Sequence, residues 1–348
     1  MTGRADREKD KQTLREVADE MAQTRVCPAC GLAAAVTTSV CPNDGTALYE
    51  EPAPGKTIAG RYEFVSLVGQ GGMSVIYKVR HQLMGKEFAI KMLHSHLVSE
   101  SLVRRFQQEA KATSALSHPN IIAVHDFGLS EQGQPYLVMD FIDGVTLDGV
   151  LAREERLSMS RFLEIFNAVA GALAHAHAEG ILHRDLKPSN IMLARGTDGH
   201  DEVKIVDFGI AKVVSEELGG QKLTKTGEVF GSPLYMSPEQ IMGTQCDARC
   251  DLYSLGCVMF ESLTGEPPHS GETSVATMFR RLNPKDSEVS STLSGSRVPK
   301  AVAEIVTTLL EADPDQRYQS MEDLHADLSA LQGSIRTCLL YTSPSPRD

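Results

Sequence analysis

Two short motifs, the second of which directly follows a strand-like run, restrict the possible fold of this chain more than any other feature. The first is HRDLKPSN at 183–190, and the second is DFG at 207–209. Asp185 and Asn190 lie close together in the chain, which places two carbonyl-type oxygens on one side of a tight loop. The run VKIV at 203–206 is strand-like and would carry Asp207 at its end. Asp185, Asn190 and Asp207 are therefore the first candidate functional residues.

A glycine-rich turn lies between two strand-like segments nearer the N-terminus. It reads VGQGGMSVIY at 68–77, and glycine lets backbone N–H groups approach phosphate oxygens without a side chain in the way. Alone, this turn fits a tight hairpin equally well. A strand-like run then ends at Lys91, and a helix-like segment carries Glu109, which can pair with that lysine. Together these features favour a phosphate-binding site.

With these motifs in place, the region 62–333 resembles the eukaryotic-like protein kinases, with matching motifs from Gly69 to Arg317. It looks most like their bacterial serine/threonine branch, because of GGMS at 71–74 and YMSPEQ at 235–240. The resemblance implies an α+β, bilobal fold, with a small β-rich lobe at about 62–141, a larger helical lobe at about 142–333, and ATP in the cleft. The implied activity is transfer of the γ-phosphoryl group of ATP to serine or threonine hydroxyls of protein substrates. KPSN at 187–190 resembles serine/threonine kinases rather than tyrosine kinases.

The resemblance also implies roles for individual residues. Asp185 accepts or orients the proton of the substrate hydroxyl, and Lys187 neutralises charge on the transferred phosphoryl group. Asn190 and Asp207 bind Mg²⁺, a hard cation that prefers oxygen ligands, with Mn²⁺ as an alternative. Lys91 meets the α- and β-phosphates and pairs with Glu109. The other implied nucleotide-binding positions are Gly69, Gln70, Gly71, Gly72, Met73, Ser74, Ile76, Ala89, Met139, Asp140 and Ile142, with Met139 in the gatekeeper place.

The segment 207–239 corresponds to the activation segment of the family and contains Thr224 and Thr226. Arg184 directly precedes Asp185 and offers a cation to a phosphothreonine, because a phosphate adds nearly two negative charges and three acceptors. We therefore predict activating autophosphorylation at Thr224 or Thr226, which a homodimer would permit in trans. The alternative is an exposed loop that is merely rich in hydroxyl groups.

Three further residues are expected to support the scaffold. Glu239 should pair with Arg317. Asp251 should brace the catalytic loop, residues 183–190, from a buried helix. In both places loss of a partner would leave a charge unpaired. One departure from the family pattern is Ser74, which replaces the third glycine of the phosphate loop. The other residues needed for chemistry are present. This weighs against the alternative function, an ATP-binding pseudokinase that acts as a scaffold.

Two similar turns, CPACG at 27–31 and CPNDG at 41–45, precede the kinase-like region. They resemble the two knuckles of a zinc ribbon, which predicts a small module at 27–48 that holds structural Zn²⁺. Asp44 stands where a fourth cysteine would be expected. The alternatives are a knuckle without metal and a site completed by another residue. The predicted ligands are Cys27, Cys30, Cys41 and Asp44.

Composition excludes several classes of protein. The formal charge of −12 over 348 residues speaks against nucleic-acid binding, which needs a basic face. There is no apolar run of about 18 residues and no signal-peptide-like start, so we expect the kinase domain to be cytoplasmic. In a reducing compartment Cys246, Cys250 and Cys257 should be buried thiols rather than metal ligands, since no histidine stands at zinc spacing.

The remaining segments are assigned from their composition. Residues 1–26 form a charged arm, and 49–61 form a linker rich in proline near its start. Residues 338–348 resemble the translation of a sequencing adapter, so we expect them to be an artefact; a native tail rich in serine and proline is the alternative. Bacterial relatives often carry a membrane span and a sensor after the kinase domain. Membrane anchoring of a full-length protein is therefore expected only through a region beyond this sequence.

Overall fold

The computed structural model describes residues 24–26, 33–35, 38, 40–43, 56–70, 74–94, 98–131, 133–196, 199–208, 233–283 and 288–342. The chain divides into two compact units. The first comprises Met1–Leu97 and Gly128–Phe141, and the second comprises Val98–Phe127 and Ile142–Asp348. The first is built on β-strands and the second mainly on helices. The predicted β-rich part and helical part are therefore confirmed.

The first unit contains two antiparallel arrangements of strands. A short pair, β1 (Thr24–Val26) and β2 (Ala33–Ala35), lies before the main sheet. The main sheet contains β3 (Thr57–Ile58), β4 (Tyr62–Gln70), β5 (Ser74–His81) and β6 (Glu87–Leu93). β7 (Val124–Leu129) lies where the chain passes from the second unit to the first, and β8 (Pro135–Asp140) pairs with β6. β3 falls within the segment 49–61 that was assigned to a linker.

Burial along the strands follows their alternation. In β5 the side chains of Val75, Tyr77 and Val79 are buried, while the residues between them are only half-buried, as expected when one face of a strand packs on a core. β6 is buried from Phe88 to Leu93 because it lies between β5 and β8. The rings of Phe64 and Tyr77 meet edge to face, with 5.5 Å between their centroids.

The second unit begins with α1 (Glu100–Ser114), which is capped at its N-terminus by the Ser99 hydroxyl. A three-stranded antiparallel sheet follows in the order β11-β10-β9, with a 3₁₀ turn at Pro188–Asn190 leading directly into β10. Its strands are β9 (Gly144–Thr146), β10 (Ile191–Arg195) and β11 (Asp201–Ile205). The remaining helices are α2 (Leu147–Glu154), α3 (Met159–Ala178), α4 (Pro238–Met242), α5 (Ala248–Thr264), α6 (Ser274–Leu282), α7 (Glu288–Gly295), α8 (Lys300–Leu309) and α9 (Met321–Thr342).

Helix α5 is the centre of the second unit. Nearly every residue from Cys250 to Thr264 is buried, so α5 is covered on all sides. A Cβ added at Gly256 would lie 2.7 Å from the Cβ of Leu309 on α8, which shows how closely the two helices approach. Asp251 is a fully buried carboxylate in this apolar setting and therefore needs hydrogen-bond donors.

The expectation for two of the mid-chain cysteines is wrong. Cys246 and Cys250 form a disulfide, with their Cα atoms 5.9 Å apart, and Cys246 is only half-buried. The bond is within reach because Cys246 immediately precedes the N-cap Asp247 and Cys250 lies in the first turn of α5. Cys257 is a buried thiol as predicted, and burial raises its pKa to about 11.

Helix α9 continues through Thr342, past the predicted domain end at 333 and into the segment 338–348. Among the helices described above, none is both long enough and apolar enough to span a membrane.

Candidate active site

The loop that begins at His183 is held from beneath by Asp251. One carboxylate oxygen of Asp251 accepts a hydrogen bond from the backbone N–H of His183 at 2.8 Å, and the other accepts one from the N–H of Arg184 at 2.7 Å. His177 on α3 adds a third bond through Nε2 at 2.8 Å. Burial raises the pKa of Asp251, but the interactions with His177, and then those with His183 and the backbone N–H of Arg184, together hold the pKa below its usual range. The predicted brace is confirmed.

Asp185, Lys187 and Asn190 come together at the surface of this loop. The ammonium group of Lys187 donates to Oδ2 of Asp185 at 2.8 Å, and the amide nitrogen of Asn190 donates to the backbone carbonyl of Asp185 at 2.7 Å. Asn190 is buried at the end of the 3₁₀ turn, whereas the Asp185 side chain remains 19% exposed. The carboxylate is therefore oriented by a cation and still accessible to a substrate.

The segment that follows β11 brings Asp207 next to the same loop. The backbone N–H of Val206 donates to the carbonyl of Asn190 at 2.9 Å, and Nε2 of His183 donates to the carbonyl of Val206 at 3.0 Å. The ring of Phe208 is buried against that of His183, with 4.8 Å between centroids. The structure thus brings together Asp185, Lys187, Asn190 and the start of the 207–209 motif; Gly209 lies outside the described residues.

Backbone conformation adds a second mark of this site. Arg184 has φ +65° and Asp207 has φ +66°, a left-handed conformation that non-glycine residues rarely adopt. Such strained residues persist only where surrounding contacts fix them, and they cluster at functional sites. Here the contacts are those of Asp251 with the Arg184 N–H and of Asn190 with the Val206 N–H.

The predicted nucleotide-binding residues of the first unit share one face of the main sheet. Ile76 lies opposite Lys91, and Ala89 lies opposite Met139, so these four side chains point to the same side. The other side carries the core residues Tyr77, Ile90 and Val138. Gly69, Gln70 and Ser74 follow on the neighbouring ends of β4 and β5, and Asp140 ends β8, where its carboxylate pairs with Lys86 at 3.2 Å. Gly71, Gly72 and Met73 lie outside the described residues.

Other predicted site residues belong to the second unit. Glu109 is half-buried on α1, between the buried Phe106 and Ala110, and Ile142 is half-buried before β9. Because Lys91 belongs to the first unit and Glu109 to the second, their ion pair stays a prediction. Thr224 and Thr226 lie outside the described residues.

The predicted scaffold pair is confirmed. Arg317 donates two parallel hydrogen bonds to the carboxylate of Glu239, at 2.7 and 3.0 Å, and its side chain is fully buried. Its other donors bond the backbone carbonyls of Arg249, Glu311 and Ala312. A buried guanidinium is thus satisfied on every side, as a buried charge requires.

Two residues that support the catalytic loop were missed in the sequence. His177 bonds Asp251, and the side-chain amide of Gln240 donates to the backbone carbonyl of Arg184 at 2.9 Å. The only available signal for His177 was its place among the apolar residues of a helix, which predicts a buried imidazole in need of a partner. Gln240 had none beyond its place in the motif at 235–240.

The predicted zinc module is described only in part. Cys41 is buried, while Cys27, Cys30 and Asp44 lie outside the described residues. Within the part of the chain that the structure covers, no group of three or more histidine, cysteine, aspartate or glutamate side chains could hold a metal ion.

Comparison with known proteins agrees with this geometry. The family model for the protein kinase domain matches residues 62–328. The serine/threonine-protein kinase pkn3 of Myxococcus xanthus is 38% identical over 283 residues, which cover 81% of this chain and 52% of pkn3. The crystal structure of the Mycobacterium tuberculosis PknI kinase domain has a TM-score of 0.62 and 27% identity, over 80% of this chain and 98% of that one.

A structure of Rad53 in complex with AMP-PNP has a TM-score of 0.63 and 25% identity, over 80% of this chain and 67% of that one. The chain spans only about half the length of the curated relatives it matches, 52% of one and 41% of another. The motif match over most of the sequence, the β-rich and helical units, and the bacterial relatives agree with one another. The chain therefore belongs to the protein kinase family, in its bacterial serine/threonine branch.

Proposed function

We propose that this chain transfers the γ-phosphoryl group of ATP to serine and threonine hydroxyls of proteins. One observation carries the proposal: Asp185 presents an accessible carboxylate, held by Lys187 at 2.8 Å, in a loop that is bonded to the segment entering Asp207. Phosphoryl transfer needs little covalent help from the protein and depends mainly on positioning and electrostatics. A fixed carboxylate beside a cation meets both needs.

In this proposal Asp185 hydrogen-bonds the substrate hydroxyl and takes its proton as the oxygen attacks phosphorus. Lys187 lies within hydrogen-bond distance of the same carboxylate, so its positive charge would be close to the negative charge that builds up on the transferred group. Lys91 would hold the phosphates from the sheet of the first unit, with Glu109 as its partner.

The donor set suits a hard divalent cation. The amide nitrogen of Asn190 is engaged with the carbonyl of Asp185, which directs the amide oxygen the other way, and Asp207 follows within the same bonded segment. Oxygen ligands of this kind fit Mg²⁺, with Mn²⁺ as an alternative. When bound, the cation would neutralise phosphate charge; the protein residues would orient the hydroxyl and the nucleotide.

The proposal includes control by loop phosphorylation at Thr224 or Thr226. Arg184 supports it, because its Nε is buried and has no hydrogen-bond partner among the residues that the structure describes. A phosphothreonine would supply acceptors for this guanidinium. Mass spectrometry after incubation with ATP and Mg²⁺ should find phosphate on one of the two threonines, in trans if the chain forms a homodimer.

Phosphate transfer from labelled ATP to a generic basic protein, myelin basic protein, tests the main proposal. We expect transfer by the unaltered chain and a loss of at least about a hundredfold in Asp185→Asn, since general-base catalysis typically contributes 10²–10⁴-fold. Asp143→Asn is the matched control, because Asp143 is an exposed carboxylate outside the loop, and it should keep full activity. An unaltered chain that binds ATP without transferring phosphate would instead support the pseudokinase scaffold.

The zinc-ribbon module at 27–48 also stays part of the proposal, on the spacing of its cysteines alone. Metal analysis of the purified chain should find about one equivalent of zinc, and Cys41→Ser should lose it. Less than half an equivalent in the unaltered chain would contradict this assignment. Protein substrates, dimer formation and membrane attachment through a region beyond this sequence likewise stay predictions.

A further inference from the structure

Arg281 on α6 is a fully buried cation whose two terminal nitrogens donate to main-chain carbonyls. Its Nη1 donates to the carbonyl of Met236 at 2.7 Å, and its Nη2 donates to the carbonyls of Leu234 and of Pro268, the latter at 3.3 Å. Within the described residues no carboxylate forms an ion pair with it. A buried charge is strongly unfavourable unless hydrogen bonds compensate it, so these carbonyls stabilise the guanidinium, whose Nε has no hydrogen-bond partner among the described residues.

The segment that Arg281 holds has no regular secondary structure of its own. Residues 233–237 form a turn and an extended stretch before α4, so their backbone groups need partners from elsewhere. Arg281 takes the carbonyls of Leu234 and Met236, and the hydroxyl of Ser254 on α5 donates to the carbonyl of Tyr235 at 2.8 Å. Three successive carbonyls are therefore fixed by side chains of α5 and α6.

The same segment is bonded onward to the catalytic loop. The side chain of Gln240 accepts from the N–H of Ser237 at 2.9 Å and donates to the carbonyl of Arg184 at 2.9 Å. Arg184 directly precedes Asp185. A continuous set of hydrogen bonds thus leads from Arg281 to the residue beside the carboxylate that a hydroxyl substrate has to reach.

We propose that Arg281 is a positioning residue for the protein substrate. It holds residues 234–236 as a wall of the substrate site, so that a serine or threonine side chain of the substrate can reach Asp185. This inference rests on the proposed kinase function. The guanidinium fork suits it to the task, because two donors in a fixed plane can bind two carbonyls at once, which a lysine ammonium does less well. Arg281 acts through the main chain and touches no predicted nucleotide-binding residue in the contacts above.

The neighbouring residue offers a matched control. Arg280 lies on the same helix, is exposed, and donates to the carbonyl of Ser270, outside the segment 233–240. A change at Arg280 therefore alters the charge and the helix by the same amount without releasing Leu234 or Met236.

Steady-state kinetics of Arg281→Lys, Arg281→Met, Arg280→Lys and Arg280→Met would test the inference, with myelin basic protein and ATP varied in turn. We expect the KM for myelin basic protein to rise on the order of tenfold in Arg281→Lys, because the charged hydrogen bonds to the carbonyls are weakened. The KM for ATP should stay within about twofold of its value in the unaltered chain. Both Arg280 variants should match the unaltered chain. Arg281→Lys keeps the buried charge and carries the test if Arg281→Met does not fold. Equal KM values for myelin basic protein in Arg281→Lys and Arg280→Lys would overturn the inference. A rise of the KM for both myelin basic protein and ATP, together with a loss of thermal stability, would also overturn it.

Hydrogen exchange supplies a readout that does not need turnover. Amides at 234–237 should exchange faster in Arg281→Lys than in Arg280→Lys, because loss of the guanidinium fork permits local opening. An unaltered chain without phosphoryl transfer would defeat the kinase proposal, and the exchange comparison alone would then decide for or against the role of Arg281 as the anchor of this wall.

Discussion

Nε2 of His177 lies 2.8 Å from Oδ2 of Asp251, and both side chains are buried beneath the catalytic loop. The same carboxylate accepts the backbone N–H groups of His183 and Arg184. Asp251 therefore links a helix of the core to the loop that carries Asp185. Arg184 is in a left-handed conformation, which is strained for a residue other than glycine. The hydrogen bond from its N–H to Asp251 keeps the backbone in this conformation.

Replacing Asp251 by asparagine should destabilise the chain by about 3 kcal/mol, because one oxygen becomes an amide group that cannot accept from a backbone N–H. Urea unfolding measures the loss, and Glu322→Gln, an exposed carboxylate on α9, is the control with an expected change within about 0.5 kcal/mol. Phosphate transfer should also fall in Asp251→Asn at a temperature where it remains folded. Equal unfolding free energies in the two variants would contradict the brace.

The pair Glu239–Arg317 predicts a contrast between two arginines. Arg317→Met should cost about 3–5 kcal/mol, because it leaves the Glu239 carboxylate buried without its partner. Arg249→Met removes ion pairs to Asp247 and to the largely exposed Asp315 and should cost about 0–1 kcal/mol. Thermal unfolding of both variants would check this contrast. Similar losses of stability in the two variants would show that burial does not determine how much an ion pair contributes.

The sequence was most informative where function restricts residue types. Asp185, Asn190 and Asp207 were predicted from the family pattern, and the structure brings Asp185 and Asn190 together with the segment that carries Asp207. Their roles stay predictions. The pair Glu239–Arg317 and the brace Asp251 followed from the same pattern. The β-rich and helical parts followed from the resemblance to the kinase family, beside strand-like runs such as the one that ends at Lys91.

The sequence was least informative where one partner is a backbone group distant in the chain. Arg281, Gln240 and Ser254 all bond carbonyls, and a carbonyl has the same chemistry at every residue, so no letter of the sequence indicates the pairing. The disulfide between Cys246 and Cys250 was missed for another reason: the expectation came from the compartment, whereas the bond depends on the geometry at the start of α5.

A pH dependence of stability should come from His269. Burial, and then the nearby charge of Arg281, lower the pKa of His269 below its ordinary 6.5, while Glu288 acts in the opposite direction. The unfolded state therefore binds a proton more readily, so the free energy of unfolding should fall as pH drops below about 6.5, by at most about 1.4 kcal/mol per pH unit for this group.

Urea midpoints at pH 7.5, 6.5 and 5.5 would measure this dependence. His269→Asn should reduce it, because asparagine does not titrate, and asparagine also tolerates the left-handed conformation at this position, where φ is +57°. The variant keeps the contribution of His118, whose pKa is also lowered by burial. His200→Asn replaces an exposed histidine and should leave the dependence unchanged. An unchanged slope in His269→Asn would exclude His269 as its source.

Two helical glycines should respond in opposite ways to alanine. In Gly256→Ala the new Cβ would lie 2.7 Å from the Cβ of Leu309, so α5 and α8 must separate, at a cost of about 1–3 kcal/mol. In Gly333→Ala on α9 the Cβ meets nothing within 4 Å, and alanine should stabilise the helix by up to about 1 kcal/mol. Urea unfolding of both variants gives the comparison. A loss in both would contradict the open helical position of Gly333 within α9. A gain in both would mean that α5 and α8 can move apart freely, which the dense packing around α5 argues against.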